Sequence, residues 1–215
     1  MRRHQWNLLL MGLTLVQLAL FVPLAWWVQK HPMLSTDVTI SHALQKKQSA
    51  LLSNLSRMLS AVGSANSTSI FALLVSLALW RKHRLLESFM TISISIMSVL
   101  VRIFLQQLVH RPRPSEPLVH VDTKKKTPSF PSGHTTASTT VWGWFIALIV
   151  LLLPGNGLYK GSLSAFPALI ILLIGPSRIY LGEHWASDVL GGYLLGSTWI
   201  GVALPLYFRL RKDKQ

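Results

Sequence analysis

Six apolar runs, each about twenty residues long, occupy most of the 215-residue sequence and constrain its fold more than any other feature. A helix needs roughly 20 apolar residues to cross the hydrocarbon core of a bilayer. The runs fall at about 7–28, 61–80, 85–108, 134–153, 163–181 and 185–208. Lipid offers backbone amides and carbonyls no partners, so runs of this length must satisfy them internally, as helices. The expectation is an all-α fold, a six-transmembrane-helix bundle forming one integral-membrane domain over 1–215. Composition agrees: half the residues are hydrophobic, 13% are charged and the mean hydropathy is +0.42, too apolar for an ordinary soluble domain.

The first run follows a basic start, Arg2-Arg3-His4, as a secretory leader would. It is too long for a leader's apolar region and ends in Ala25-Trp26-Trp27, which offers no small-residue cleavage site. It reads as an uncleaved span whose paired tryptophans sit at a membrane interface. One set of span ends carries Arg2, Arg3, Arg81, Lys82, Arg84, Lys160, Arg209, Arg211, Lys212 and Lys214. The positive-inside rule then makes this a multi-pass cell-membrane protein with both termini cytoplasmic.

The 29–60 loop, the 109–133 loop and a short turn near 182–185 are expected outside. That side is basic too, at Arg111, Arg113 and Lys124 to Lys126. The exception needs a cause other than topology, and a phosphate site would supply one. The whole chain has 21 Lys and Arg against seven Asp and Glu, a net charge of +14 that favours anionic partners. No long soluble basic region exists, so nucleic acid is not expected; membrane lipids and phosphate-bearing substrates are. The absence of cysteine excludes disulfides and thiolate metal sites. Within 31–60, Ser35-Thr36-Asp37 reads as a helix start, and Leu51, Leu55, Met58, Leu59 and Val62 recur at helical spacing. One external interfacial helix is expected there. Nothing in the sequence signals an oligomeric state.

Three polar segments lie at ends of predicted spans on the same side: Arg111-Pro112-Arg113-Pro114, Pro131-Ser132-Gly133-His134, and Ser177-Arg178 with His184 and Asp188. His184 and Asp188 are four apart and share a helix face. A carboxylate there can bond one imidazole nitrogen, fix the tautomer and leave the other nitrogen free as a nucleophile. A purely structural His–Asp pair would look the same. Arg178 and Arg113 have the planar donors that suit phosphoryl oxygens. Ser132 is placed to cap the fourth span, Gly133 lets backbone approach a ligand, and His134 in the first turn is placed to donate a proton.

Together these segments resemble the type 2 phosphatidic acid phosphatase superfamily, whose signatures are Lys-x6-Arg-Pro, Pro-Ser-Gly-His and Ser-Arg-x5-His-x3-Asp. The second and third are complete here, the third as Ser177-Arg178, His184 and Asp188. The resemblance implies a lipid phosphatase with its active site at the external face, working without metal or other cofactor through a phosphohistidine. It implies His184 as nucleophile, Asp188 as its orienting carboxylate and His134 as general acid and then base. It also implies Arg113, Arg178, Ser132 and the Gly133 amide as holders of the phosphoryl oxygens. The first signature departs from the pattern: seven positions before Arg113 stands Gln106, not lysine. Arg102, one turn earlier and a costly charge inside a span, is expected to stand in for it beside Gln106.

Undecaprenyl diphosphate, phosphatidylglycerol phosphate and phosphatidic acid are all candidate substrates, with a lean to the first. A phosphotransferase and a catalytically silent lipid-binding or transport protein are the alternatives. Gly192 and Gly196 read as a close helix contact, Trp142 and Trp144 as lipid-facing, and Lys124 to Lys126 as a solvated loop or a sensor of a second phosphate.

Overall fold

The computed structural model describes residues 3–212, so the expected cytoplasmic charges Arg2 and Lys214 lie outside the described residues. Eight helices follow one another: α1 (Arg3–Lys30), α2 (Ser35–Gln45), α3 (Ala50–Val62), α4 (Ala65–Arg81), α5 (Leu85–Val109), α6 (Gly133–Leu152), α7 (Gly157–Tyr180) and α8 (Ala186–Lys212). Five of them, α1, α5, α6, α7 and α8, are each long and apolar enough to cross a membrane. A sixth span arises if α3 and α4 count as one helix bent by 47°. The cause of the bend is local. Ser64 begins a new helix by accepting from the Ser67 amide at 3.1 Å, directly after the Val62 turn closes.

The 31–64 connection holds two helices where one was expected. α2 ends at Gln45 and α3 restarts when the Ser49 hydroxyl accepts from the Leu52 amide at 3.2 Å. Leu51, Leu55 and Met58 of α3 point outward, an apolar stripe that an interfacial helix buries in lipid. Its other side packs on the end of α7.

α6 is the central helix, packed by α5, α7 and α8. Its contact with α8 is close. A Cβ at Gly192 would lie 2.8 Å from the Thr135 Cβ, and one at Gly196 would lie 2.6 Å from the Thr139 Cβ. The two glycines therefore form the expected tight helix contact. Phe130 is completely buried and stacks on Phe21 of α1 with centroids 5.6 Å apart, which ties the polar segments to the bundle. Farther along, Met90, Ile94, Trp144, Leu148, Ala203 and Tyr207 form a second core.

The expectation that Trp142 and Trp144 face lipid is corrected. Both are buried: Trp144 donates to the Thr91 hydroxyl at 2.9 Å, and Trp142 stacks on Phe71 at 4.3 Å. A helix apolar on every side gives no periodicity from which to tell its protein face from its lipid face.

Candidate active site

The polar segments converge because the ends of α5, α6, α7 and α8 meet at one end of the bundle, with α2 and α3 packed beside them. α5 stops at His110, whose left-handed backbone (φ +49°) lets its amide bond the Gln106 carbonyl at 3.0 Å. Pro112 and Pro114 then hold the chain extended. At the α7–α8 turn, Gly182 (φ +65°) packs directly on the His120 carbonyl, so a side chain there would collide with the 110–132 loop. The loop is pinned further where the Asp122 amide donates to Leu181 O at 2.9 Å. Arg57 of α3 pairs with the Asp122 carboxylate at 2.5 Å, and the Gln45 amide of α2 donates to His120 O at 2.9 Å.

His184 is 2% exposed and lies between two charges of opposite sign. Its Nδ1 faces Asp188 Oδ2 at 3.6 Å and the Ser129 hydroxyl at 3.4 Å. Its Nε2 faces Arg113 Nη1 at 3.2 Å. A guanidinium only donates, so this contact fixes Nε2 as the acceptor and puts the ring proton on Nδ1. Burial, with the charges of Arg113 and Arg178, outweighs the pull of Asp188 and lowers the His184 pKa to about 4. The imidazole is thus neutral at pH 7, with its Nε2 lone pair turned toward cations.

Asp188 is completely buried and fully engaged. Its Oδ2 accepts from the Trp185 amide at 2.8 Å and from the Ser129 hydroxyl. The Trp185 carbonyl takes the first bond of α8, so Asp188 three residues on completes half of a capping box. Its Oδ1 accepts from Arg111 Nη1 at 2.7 Å.

The two loop arginines divide their work. Arg111 is buried and pairs with both Asp188 and Asp37 of α2, each at 2.7 Å. Breaking such a buried pair costs roughly 3–5 kcal/mol, so the charge of Arg111 is spent on holding the fold together. Among the described residues Arg113 makes no ion pair; it bonds Thr127 O at 2.7 Å, Glu183 O at 2.6 Å and the His184 ring. Burial lowers its pKa. Of the two, Arg113 has the charge left over for an anion.

The remaining expected residues surround the same point. Arg178 is completely buried, donates to the Ser60 hydroxyl and pairs with the Glu183 carboxylate. Ser60, in turn, lies 3.4 Å from His134 Nε2. Ser132 occupies the position before α6 but its side chain makes no capping bond, which corrects that expectation. The hydroxyl instead accepts from Thr135 at 3.0 Å, while the Ser132 amide donates to Asp188 O at 3.0 Å. Gly133 opens α6, and a Cβ there would meet Arg102 Nη1 at 3.4 Å. Arg102 donates to Gln106 at 2.7 Å, and Gln106 donates to Pro131 O at 3.1 Å. Lys125 pairs with Glu183, and burial lowers its pKa.

Sequence reading missed Ser60, Asp37, Ser129, Glu183 and the burial of Arg111. Ser129 and Glu183 had a signal in their places beside the second and third signatures; Ser60 and Asp37 had none. Among the described residues, no group of three or more His, Asp or Glu could hold a metal ion.

Residues 87–212 match the family model described as the PAP2 superfamily, and the chain belongs to that superfamily. Over 93 residues it is 38% identical to phosphatidylglycerophosphatase B of Bacillus subtilis (strain 168), covering 43% of this chain and 44% of the relative. Over 133 residues it is 32% identical to decaprenylphosphoryl-5-phosphoribose phosphatase of Mycobacterium tuberculosis (strain CDC 1551 / Oshkosh), covering 60% of this chain and 65% of the relative. The matched stretches therefore span about half of these relatives' lengths. The fold matches the crystal structure of the first transmembrane PAP2 type phosphatidylglycerolphosphate phosphatase from Bacillus subtilis, with a TM-score of 0.81 at 21% identity, over 94% of this chain and 97% of that one. The protein is a membrane protein with that transmembrane fold.

Proposed function

We propose that the protein hydrolyses a lipid phosphate or diphosphate through a phosphohistidine on His184, without a metal ion. The observation that carries this reading is the setting of one imidazole. The His184 Nε2 lone pair faces Arg113 at 3.2 Å, while Nδ1 is turned to the buried Asp188 carboxylate at 3.6 Å. A phosphoryl group entering beside Arg113 would meet a neutral nucleophile and a cation together.

In the first step Nε2 attacks phosphorus and the bond to the leaving oxygen breaks. That oxygen takes a proton from His134, and Asp188 stabilises the positive ring through Nδ1–H. In the second step water attacks phosphorus and gives its proton to His134. The N–P bond then breaks, releasing inorganic phosphate. Arg113, Arg178, Arg102 and the amides opening α6 supply fixed positive charge and dipoles to the phosphoryl oxygens, the main means of accelerating phosphoryl transfer. Gln106 and Ser132 hold the turn that presents Gly133. In the free protein, Arg178 Nη1 donates to Ser60 and the guanidinium pairs with the Glu183 carboxylate, while its Nε is buried without a hydrogen-bond partner among the described residues, a donor left for a phosphoryl oxygen.

Polyprenyl diphosphates, undecaprenyl diphosphate among them, are the preferred substrate class in this reading. Beside the site is a cleft of about 270 Å³ lined by Arg113, Ser115, Thr123, Lys124, Lys125 and Glu183, with room and charge for a second phosphate. The Mycobacterium relative is named for a polyprenyl-phosphoryl substrate. The Bacillus relative's name makes phosphatidylglycerol phosphate the second reading. The site end is external and both termini are cytoplasmic, a reading supported by the basic residues Arg81, Lys82, Arg84, Arg209 and Arg211 at the opposite end.

The test is phosphate release by purified protein from undecaprenyl diphosphate, phosphatidylglycerol phosphate and phosphatidic acid, with excess chelator and with vanadate. Turnover in chelator, inhibition by vanadate and preference for the diphosphate are expected. Turnover of none of the three, or a strict divalent-ion requirement on a soluble short-chain substrate, sinks the reading.

A further inference from the structure

Asp37 stands far from all three signatures, yet it bonds the site's most buried ion pair. Its Oδ2 accepts from Arg111 Nη2 at 2.7 Å and from the Ser187 hydroxyl at 2.6 Å; its Oδ1 accepts from the Ser187 amide at 2.9 Å. Asp37 is 2% exposed, Arg111 1% and Asp188 0%. The row Asp37–Arg111–Asp188 thus places two carboxylates on one guanidinium, out of water. A buried Arg111–Asp188 pair would be neutral by itself. The second carboxylate adds a net negative charge that costs desolvation beyond what the neutral pair requires.

We propose that Asp37 is a positioning residue for the reaction, acting through Arg111 on the Asp188–His184 pair. This inference rests on the phosphohistidine reading above. When Nε2 bonds to phosphorus, the His184 ring gains a positive charge whose Nδ1–H turns to Asp188. Arg111 alone would oppose that charge, because its guanidinium sits 2.7 Å from the same carboxylate. Asp37 neutralises Arg111, so the row keeps one net negative charge to match the one positive charge formed. Through the Ser187 amide and hydroxyl, Asp37 also fixes the first turn of α8, from which Asp188 projects. α2 is thereby a part of the site, although it carries none of the residues expected to touch substrate.

Other charges act on His184 as well: Arg113 from the 110–132 loop, Arg178 from α7 and His134 from α6. Behind them, Glu183 of the turn pairs with Arg178 and Lys125, and Arg102 of α5 acts on Arg113. Substitutions at Asp37 or Arg111 leave all of these in place, so changes in the pH profile report the row itself.

The experiment measures kcat and KM against pH on a soluble short-chain lipid phosphate for wild type, Asp37→Asn, Arg111→Gln and His184→Ala, with melting followed in detergent. Asp37→Asn is expected to lower kcat about tenfold with little change in KM. It should move the acid limb of the profile down by roughly half to one pH unit, because removing a negative charge disfavours the charged ring. Arg111→Gln removes a positive charge and should move the limb up. Opposite shifts support the proposal, and either one suffices if the other variant does not fold. A limb that stays in place in the folded variants, with only melting lowered, reduces Asp37 to a helix cap and overturns the proposal while the phosphohistidine reading stands. Near-normal turnover by His184→Ala removes that reading and the proposal with it.

Discussion

Arg102 Nη1 donates to Gln106 Oε1 at 2.7 Å across one turn of α5, and Gln106 passes the contact on to Pro131 O at 3.1 Å. The pair therefore braces the turn that opens α6 from the position where the superfamily signature has a lysine. The guanidinium lies against Gly133, its Nε is buried without a hydrogen-bond partner among the described residues, and its charge is felt at Arg113. Such a group is costly in a span unless something needs it.

Arg102→Ala is predicted to reduce kcat/KM by roughly tenfold to a hundredfold, somewhat below the loss of a full oxyanion donor. Adding Gln106→Lys to that variant should restore much of the loss, since the lysine returns a charge to the signature position. Phosphate release from folded single and double variants decides it. Full activity in Arg102→Ala would mean that the site works with fewer cations.

His184→Ala is predicted to lose on the order of a thousandfold or more, as removal of a nucleophile does. Asp188→Asn should also lose most activity, and some stability, because the carboxylate receives Arg111 and the Trp185 amide. His134→Ala should let phosphate accumulate on His184 after brief exposure to labelled substrate. Label on any other residue, or none in a variant that still turns over, counts against the chemistry.

How much of this was legible in the sequence depended on distance along the chain. The six runs gave the bundle, and the i, i+4 spacings of His184–Asp188 and Arg102–Gln106 placed each pair on one face before any contact was known. The resemblance assigned Arg113 rather than Arg111 to the phosphate, but both precede proline, and nothing local shows that Arg111 is neutralised by Asp188 and by Asp37, 74 residues away. Ser60 likewise reaches Arg178 from 118 residues away. No local rule encodes such contacts. The break between α2 and α3 was hidden because Lys46-Lys47-Gln48 contains neither glycine nor proline.

The pH dependence follows from the sign of the His184 shift. Burial and two arginines hold its pKa near 4 rather than 6.5, so the neutral form, the nucleophile of the proposed mechanism, persists well below neutrality. The acid limb of kcat/KM that belongs to the enzyme is therefore expected near pH 4. Phosphate esters ionise a second time near pH 6, and that limb must be assigned from the substrate's own titration. An enzyme limb at 6 to 7 would show a solvated, ordinary histidine.

Topology can be tested directly in this cysteine-free chain. Thr123 is exposed at the site end, and Lys82 is exposed at the other. A membrane-impermeant maleimide added to intact cells should label Thr123→Cys and spare Lys82→Cys. The reverse pattern would put the site in the cytoplasm and remove the positive-inside assignment.

Lys125 gives the sharpest handle on substrate. It reaches from an exposed loop into the cleft beside Arg113, where it pairs with Glu183. Burial and the nearby charges of Arg178 and Arg113 lower its pKa, while Glu183 raises it. A lysine brought among arginines is held there by one carboxylate, and an arriving anion can take that carboxylate's place. In the proposed mechanism the phosphoryl group under attack is met by Arg113 and Arg178, which leaves Lys125 for the next phosphate of a diphosphate. Lys125→Ala should therefore lower kcat/KM on a lipid diphosphate by roughly tenfold, the scale of one charge-assisted hydrogen bond. On the matching monophosphate the change should stay within about twofold, since a partly exposed cation removed from elsewhere in the site contributes little. The two substrates must carry the same lipid tail, so that only the headgroup differs. Equal losses on both would make Lys125 a general contributor of charge and leave the substrate class to be set by the lipid tail.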